Sequence, residues 1–298
     1  MLKQKAPPHD QSFDNRAEFF KKQIYGTSKG KIRGAVVWRD LEEILARPEM
    51  SRHLRILDAG GGFGYIAMKL AALGHDVTLV DISQDMLDLG KRELEEHPVS
   101  GSITFIRGEV QKLNEILPDQ KFDLVICHAV LEWLVDPKPV IGILKSMLAP
   151  DGMLSLMFYN RTALLFQSLV VGNFDYIRQG LVKKRRQKLT PITPLYISEV
   201  RRWLAENGFT VSGMSGVRII HDYMRDKTEQ VSKFDDLLSF ELEYSRSEDF
   251  AHLGRYIHIW TEPLQNQKAE FRKTEKKKTE SLHPAAVKIR SRDTFRSL

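Results

Sequence analysis

The sequence predicts an α/β protein built on a parallel sheet with helices on both faces. Three observations carry this. From Ser51 onward, apolar runs of strand length alternate with runs of helical periodicity. The first such strand, "RILDAG", enters a glycine-rich turn, "GGFGY", that opens a helix. The second, "DVTLVD", ends in an acid, Asp81. Strands alternating with helices of this length pair in parallel, because each crossover helix must pack back onto the sheet.

The elements follow in order. Residues 1–12 are polar and read as a flexible N-terminus. From Phe13 to about Ala46, Phe19, Phe20 and Ile24, then Ile32, Val36, Val37, Leu41, Ile44 and Leu45, recur at helical spacing. The glycine-bearing "YGTSKGK" breaks that run into two helices. "LRILDAG" is a strand and "GYIAMKLAALG" a helix; "DVTLVDI" is a strand and "SQDMLDLGKRELEEH" a helix capped by Ser83. "ITFIRGE" is a strand, "VQKLNEIL" a short helix, "FDLVICH" a strand and "KPVIGILKSML" a helix. "GMLSLMFYN" is the fifth strand. Residues 161–197 then break the alternation; a connection that long reads as a functional insertion. "ISEVRRWLAENGF" is a helix, "TVSGMSGVRII" a strand, "FDDLLSFELEYSRS" a helix and "GRYIHIWTEP" the last strand. One domain over 13–263 is expected. Residues 264–298, polar and lysine-rich, read as a basic disordered tail.

Bulk properties narrow the class. No apolar run approaches the roughly 18 residues needed to span a bilayer, and "MLKQKAPPHDQSFDNR" lacks the apolar core of a secretory signal. The single cysteine, Cys127, rules out an internal disulfide and makes a zinc site a poor reading. A cytoplasmic protein without a metal or a membrane partner is expected. The net charge is +6, yet ten Lys/Arg against four acids between Lys268 and Leu298 account for it. The body is near neutral, so a polyanion would meet a local patch rather than a global field.

The glycine loop points to a nucleotide-like cofactor. A dinucleotide fingerprint would need glycine at position 65, which is Tyr65. The pattern is instead acid-x-G-x-G-x-G, from Asp58 to Gly64, with Gly61 between. The loop glycines let backbone approach the ligand, and Asp81 is placed to accept both hydroxyls of an adenosine ribose. A pyrophosphate favours basic side chains at a helix N-terminus. Asp58 beside the loop suits a ligand bearing an amino group or a cation, which is S-adenosylmethionine rather than a dinucleotide.

This layout resembles the class I S-adenosylmethionine-dependent methyltransferases, Rossmann-like folds with a central, mostly parallel seven-stranded sheet. "FDLVICHAVLEWLVDP" and "LAPDGMLSLMFYN" resemble their fourth- and fifth-strand segments. Outside the core, "QIYGTSKGKIR", "HAVLEW", "LSLMFYN", "GNFDYIRQG", "HDYMR" and "LGRYIH" resemble the bacterial tRNA 5-carboxymethoxyuridine methyltransferases, from about Phe13 to Glu262. That resemblance implies methylation of a wobble-uridine carboxylate to its methyl ester, with the tRNA anticodon stem-loop as partner.

Individual residues carry both readings. Arg33 is a solvated helix arginine or, as the resemblance implies, a contact to the cofactor carboxylate. Val110 and Gln111 follow the third strand, where an adenine lies in this fold. His128 ends the fourth strand, and the resemblance puts it at the cofactor. Gly60, Gly61, Gly62, Asp58 and Asp81 complete the cofactor set. Trp133 and Leu134 read as core residues or as part of the wall beside the transferred methyl, with core the preferred reading. Lys183, Lys184, Arg185 and Arg186, in "KKRRQK", are a solvated loop or contacts to RNA phosphates. Phe174 and Tyr176 pack the insertion or stack on a base. Tyr159, Arg218, His221, Tyr223 and Arg255 are candidates for positioning an anionic substrate, with Tyr256 and Asn160 nearby. Two other readings stand beside this one. One is a methyltransferase of the same fold acting on a small-molecule acid or phenol. The other is a non-catalytic RNA-binding module, against which the intact loop and Asp81 argue.

Overall fold

Strands β1 (Arg55–Ala59), β2 (Asp76–Asp81), β3 (Ser102–Arg107), β4 (Phe122–His128), β5 (Leu148–Tyr159), β6 (Val211–Val217) and β7 (Tyr256–Thr261) form one sheet. Their order is β3-β2-β1-β4-β5-β7-β6. β1 to β5 pair in parallel, while β7 is antiparallel to both β5 and β6. The computed structural model describes residues 14, 17–21, 26–181, 191 and 193–263. The expected N-terminal arm 1–12, the basic run 183–188 and the tail 264–298 lie outside the described residues.

The helices are α1 (Ala17–Phe20), α2 (Ser28–Leu45), α3 (Tyr65–Ala72), α4 (Gln84–Glu96), α5 (Leu113–Ile116), α6 (Lys138–Ser146), α7 (Arg161–Val170), α8 (Phe174–Arg178), α9 (Ile197–Glu206), α10 (Glu229–Ser232) and α11 (Phe234–Tyr244). Local chemistry sets where several begin. Thr27 caps α2 by accepting from the Gly30 amide, and Ser83 caps α4 by accepting from the Met86 amide. Asn160 caps α7 by accepting from the Thr162 amide at 2.9 Å.

Strand periodicity divides the core. Ile56 and Leu57 are neighbours in β1 but face opposite sides of the sheet. Leu57, Val125 and Leu156 pack with Leu113, Val140, Leu144, Val200 and Leu204 from α5, α6 and α9. Ile56, Leu124 and Ile126 pack with Ile32, Val36, Leu41, Leu70 and Leu237 from α2, α3 and α11. Each buried leucine or isoleucine contributes about 1.5–3 kcal/mol by leaving water. Among the described residues, no helix is long and apolar enough to cross a membrane.

The strand order reverses between β1 and β4, because β2 lies on one side of β1 and β4 on the other. The crossovers therefore diverge there and leave a crevice beyond the carboxyl ends of the strands. The candidate functional site sits in it.

Candidate active site

β1 carries Asp58 to the carboxyl edge of the sheet, and the glycine loop follows. Gly60, Gly62 and Gly64 have φ of +78°, +59° and +88°. Two of the loop glycines differ in what surrounds them. A Cβ on Gly61 would lie 2.6 Å from the Asp58 carboxyl carbon and 2.8 Å from Leu79. A Cβ on Gly62 would meet nothing within 4 Å, so its missing side chain leaves open space in the cleft.

The two acids of the loop have different surroundings. Asp81 Oδ2 accepts the Gly62 amide at 2.8 Å, and Oδ1 accepts the Ser83 amide at 2.9 Å. Burial raises the Asp81 carboxyl above the usual carboxylate range, and these two amides oppose the rise. Asp58 is also buried, but no described residue donates a hydrogen bond to it. Burial, with the nearby charge of Asp81, pushes the Asp58 carboxyl up to about 7. A buried carboxyl without a donor is what an incoming ammonium group would satisfy.

The cleft around this loop spans about 990 Å³, counting the open solvent at its mouth. Arg33, Asp58, Gly60, Gly61, Gly62, Asp81 and His128 line its main lobe. Val110 and Gln111 line an adjoining lobe, which shares Gly60, Asp81, Ala129 and Trp133 with the first. All nine residues expected at a cofactor are thus brought together from α2, β1, β2, the turn after β3 and the end of β4. Trp133 takes the wall position rather than the preferred core one and lines both lobes, while Leu134, 5% exposed and packed in the core, also lines the second. The cause is the short helical turn Leu131–Trp133, which buries Leu131 and turns Trp133 to the cleft.

The five positioning candidates gather behind Tyr256, which lines the main lobe. Tyr159 meets the Tyr256 ring edge-on, with centroids 5.4 Å apart. The guanidinium of Arg33 lies 5.9 Å and that of Arg218 5.5 Å from the Tyr256 ring centre. Arg218 has φ of +62°, a conformation costly for a residue with a long side chain. Its Nη2 donates to Asp222 Oδ2 at 2.6 Å, while its buried Nε has no partner. Arg255 donates from Nε to Asp222 at 2.8 Å, from Nη1 to Tyr159 at 3.2 Å and from Nη2 to Gln167. Burial would raise the Asp222 carboxyl; Arg218, His221 and Arg255 hold it well below the carboxylate range. His221 is fully buried, bonded to Asp222 and Ser28. Tyr223 donates to the Leu253 carbonyl at 2.8 Å. None of the five lines either lobe of the cleft; His221 and Tyr223 support the cluster from behind.

The segment expected as an insertion forms α7 and α8 and leads to α9. Phe174 there is 52% exposed, while Tyr176 is half-buried. Sequence reasoning missed Glu132, whose fully buried carboxyl is pushed by burial up to about 7, with the amides of Glu132 and Tyr159 opposing the rise. It also missed Asp40, Ser155 and His258, which lie beneath His128. No local pattern marks any of them.

Residues 50–208 match a family described as a methyltransferase domain. The chain is 45% identical over 251 residues to the tRNA 5-carboxymethoxyuridine methyltransferase of Escherichia coli K12, a match covering 84% of this chain and 95% of that enzyme. It is 31% identical over 179 residues to the ubiquinone biosynthesis O-methyltransferase of Xanthomonas euvesicatoria, covering 59% of this chain and 71% of that one. In fold it is similar to magnesium protoporphyrin IX methyltransferase from Synechocystis solved with SAH, at TM-score 0.54 and 23% identity over 69% of this chain and 90% of that one. It is also similar to the PH0226 protein of Pyrococcus horikoshii, at TM-score 0.52 and 17% identity over 83% and 98% of the two chains. The seven-stranded class I architecture, the glycine cradle and a 45% identity that runs far beyond the common methyltransferase domain lead to one conclusion: the chain belongs to the tRNA 5-carboxymethoxyuridine methyltransferase family, and its cofactor is S-adenosylmethionine.

Proposed function

We propose that this protein methylates the carboxylate of 5-carboxymethoxyuridine at the tRNA wobble position, giving the methyl ester. One observation supports this above the rest. Arg33 and Arg218 set two cations on the ring of Tyr256, at the edge of the cofactor cleft. That is an environment for an acid, beside the place where the methyl donor binds.

The cofactor fits the residues present. Asp58, buried without a donor, would take its ammonium group, and Arg33 its carboxylate. Asp81 keeps lone pairs beyond those used by the two loop amides and would accept the ribose hydroxyls. Val110 and Gln111 would meet the adenine. When bound, S-adenosylmethionine supplies an electrophilic methyl group. The carboxylate nucleophile has a reference pKa near 4, so at neutral pH it is already ionised and no general base is needed. The protein's task is to hold the acid in line and exclude water. Arg218 is the residue we assign to the substrate carboxylate, because Asp222 occupies only Nη2 of its fork and its Nε is unbonded. Arg255, with three partners, holds Asp222 and so aims Arg218.

tRNA would bind along the insertion, with Phe174 on its exposed surface and Lys183, Lys184, Arg185 and Arg186 against phosphates. A tRNA-modifying enzyme of this kind would work in the cytoplasm. The test uses methyl-labelled cofactor and tRNA bearing the carboxymethoxy group. The label should be released by mild alkali, as from an ester, and unmodified transcript should remain unlabelled. Label that survives alkali would place the methyl on nitrogen, carbon or a ribose hydroxyl and would reject the reading.

A further inference from the structure

Beneath the cleft floor, four side chains from four elements form one hydrogen-bonded chain. His128 Nε2, at the end of β4, is 2.8 Å from Ser155 Oγ in β5. The same oxygen is 2.8 Å from His258 Nε2 in β7. His258 Nδ1 is 2.8 Å from Asp40 Oδ2 in α2. Asp40, Ser155 and His258 are all 0% exposed, and only His128 reaches the cleft. We propose that Asp40, His258 and Ser155 act as a relay that sets which ring nitrogen of His128 carries the proton, so that His128 meets the cofactor as a hydrogen-bond acceptor.

The direction of each bond follows from the anchor. Asp40 is a carboxylate, with Arg39 and Arg246 each donating to its Oδ1 at 2.7 Å. It can only accept, so His258 Nδ1 carries a proton. A neutral imidazole has no second proton, so with Nδ1–H held on Asp40 the His258 Nε2 accepts from the Ser155 hydroxyl. That hydroxyl has one proton and has spent it, so its oxygen accepts from His128 Nε2–H. Burial, with the Arg33 charge nearby, keeps the His128 ring from taking a second proton. Its Nδ1, which no described residue bonds, is left with a free lone pair.

The chemical consequence is selective. An acceptor in this position favours a ligand group that donates, such as an ammonium, amino or hydroxyl group. The opposite tautomer would turn an N–H toward the same group and repel it. Neutral imidazole can adopt either tautomer, and the partner on its far nitrogen decides between them. Here that partner is itself oriented from Asp40, on α2. Asp40, His258 and Ser155 are positioning residues, and they never touch the ligand. The inference rests on the cleft being the cofactor site.

The test reads the tautomer directly. In ¹⁵N-histidine-labelled full-length protein, the His128 ring signals, assigned by their loss in His128→Gln, should report Nε2–H and bare Nδ1. Asp40→Asn can turn its amide N–H toward His258 Nδ1, which reverses every bond, and His128 should then report Nδ1–H. Calorimetry with S-adenosylhomocysteine should show affinity reduced about tenfold in Asp40→Asn and in Ser155→Ala, the equivalent of one net hydrogen bond. The KM for the methyl acceptor should not move. Ser155→Ala leaves the Asp40 ion pairs intact, so it decides the matter even if Asp40→Asn fails to fold. The relay is overturned if Ser155→Ala binds as the wild type does, or if folded Asp40→Asn keeps His128 as Nε2–H. A wild-type protein that retains no S-adenosylhomocysteine would reject the cofactor site itself, while the ring signals would still judge the relay.

Discussion

Asp58 and Asp81 face one cleft from neighbouring strands, and the charge of Asp81 adds to burial in pushing the Asp58 carboxyl up to about 7. The cofactor ammonium would require Asp58 ionised. Cofactor affinity should therefore fall as pH drops below about 7, approaching tenfold per unit, with a proton released on binding at pH 6. The stability contribution has the opposite sign. A carboxyl raised on folding stabilises the cofactor-free protein fully below its unfolded value of 3.8, and that contribution is lost as pH rises toward about 7. Calorimetry at several pH values in two buffers measures the proton. Asp58→Asn should flatten the dependence, and an unchanged slope would show that another group titrates.

Gly61 and Gly62 should separate fold from ligand. Gly61→Ala forces a Cβ into Asp58 and Leu79 and should lower both stability and cofactor binding. Gly62→Ala meets nothing, so the fold bears only the left-handed backbone, about 1–2 kcal/mol. Its methyl occupies ligand space, and cofactor affinity should suffer more than the melting temperature. Equal effects of the two substitutions on both quantities would contradict this.

Arg218 should govern the acid and not the cofactor. Arg218→Ala should reduce kcat/KM for modified tRNA by about 10- to 100-fold, the loss of a charge-assisted bond. Cofactor affinity should be retained. Because the backbone there has φ of +62°, Arg218→Gly should be more stable than Arg218→Ala by about 1 kcal/mol. Denaturant unfolding of the pair checks the backbone term, and steady-state kinetics checks the role.

Asp222 should be a stability residue of the first order. Asp222→Ala leaves Arg218 and Arg255 buried without their shared anion and should cost about 3 kcal/mol or more. Its lowered carboxyl gives a contribution present above pH 4 and lost progressively on acidification below it. Urea titrations at pH 7 and pH 3 should show the gap between the variant and the wild type narrowing only in part at the lower pH, because the folded carboxyl is still ionised there.

The insertion and the tail should differ in their hold on tRNA. Neutralising Lys183, Lys184, Arg185 and Arg186 should raise the tRNA KM and flatten its salt dependence, by roughly one unit of log–log slope per lost phosphate contact. Removing residues 264–298 should produce only a modest change that salt screens. Loss of turnover on removing the tail, with an inert insertion, would relocate the RNA surface.

The cofactor side of the candidate site could be proposed from the sequence because its signals are local. Strand, acid, glycine turn and helix are contiguous from Arg55 to Ala72, and Asp81 ends the very next strand. The substrate side was legible as a set of residues but not as an arrangement. Nothing in the spacing of Arg218, Asp222 and Arg255 says that one carboxylate lies between two arginines. For Trp133 the core reading was preferred over the wall because a large aromatic among apolar neighbours resembles core, and only the turn at Leu131–Trp133 directs it to the cleft. Asp40 follows an arginine and precedes "LEE" on a helix, a pattern typical of a solvated face. It is buried because β7 brings His258 against it from 218 residues away. Contacts of that range leave no periodic trace.

The reversed direction of β7 decides how the molecule can be tethered. β7 begins beside the cleft, where Tyr256 pairs with Tyr159, and runs back to Thr261, which pairs with Val211 at the start of β6. Glu262 then binds the Thr210 carbonyl and Arg47, on the rim where the parallel strands begin. The chain thus leaves the sheet at Pro263 on the side away from the cleft mouth. A reporter, an affinity handle or a solid support joined directly to Pro263, in place of the residues that follow it, would start behind the enzyme and leave its mouth open to the solution.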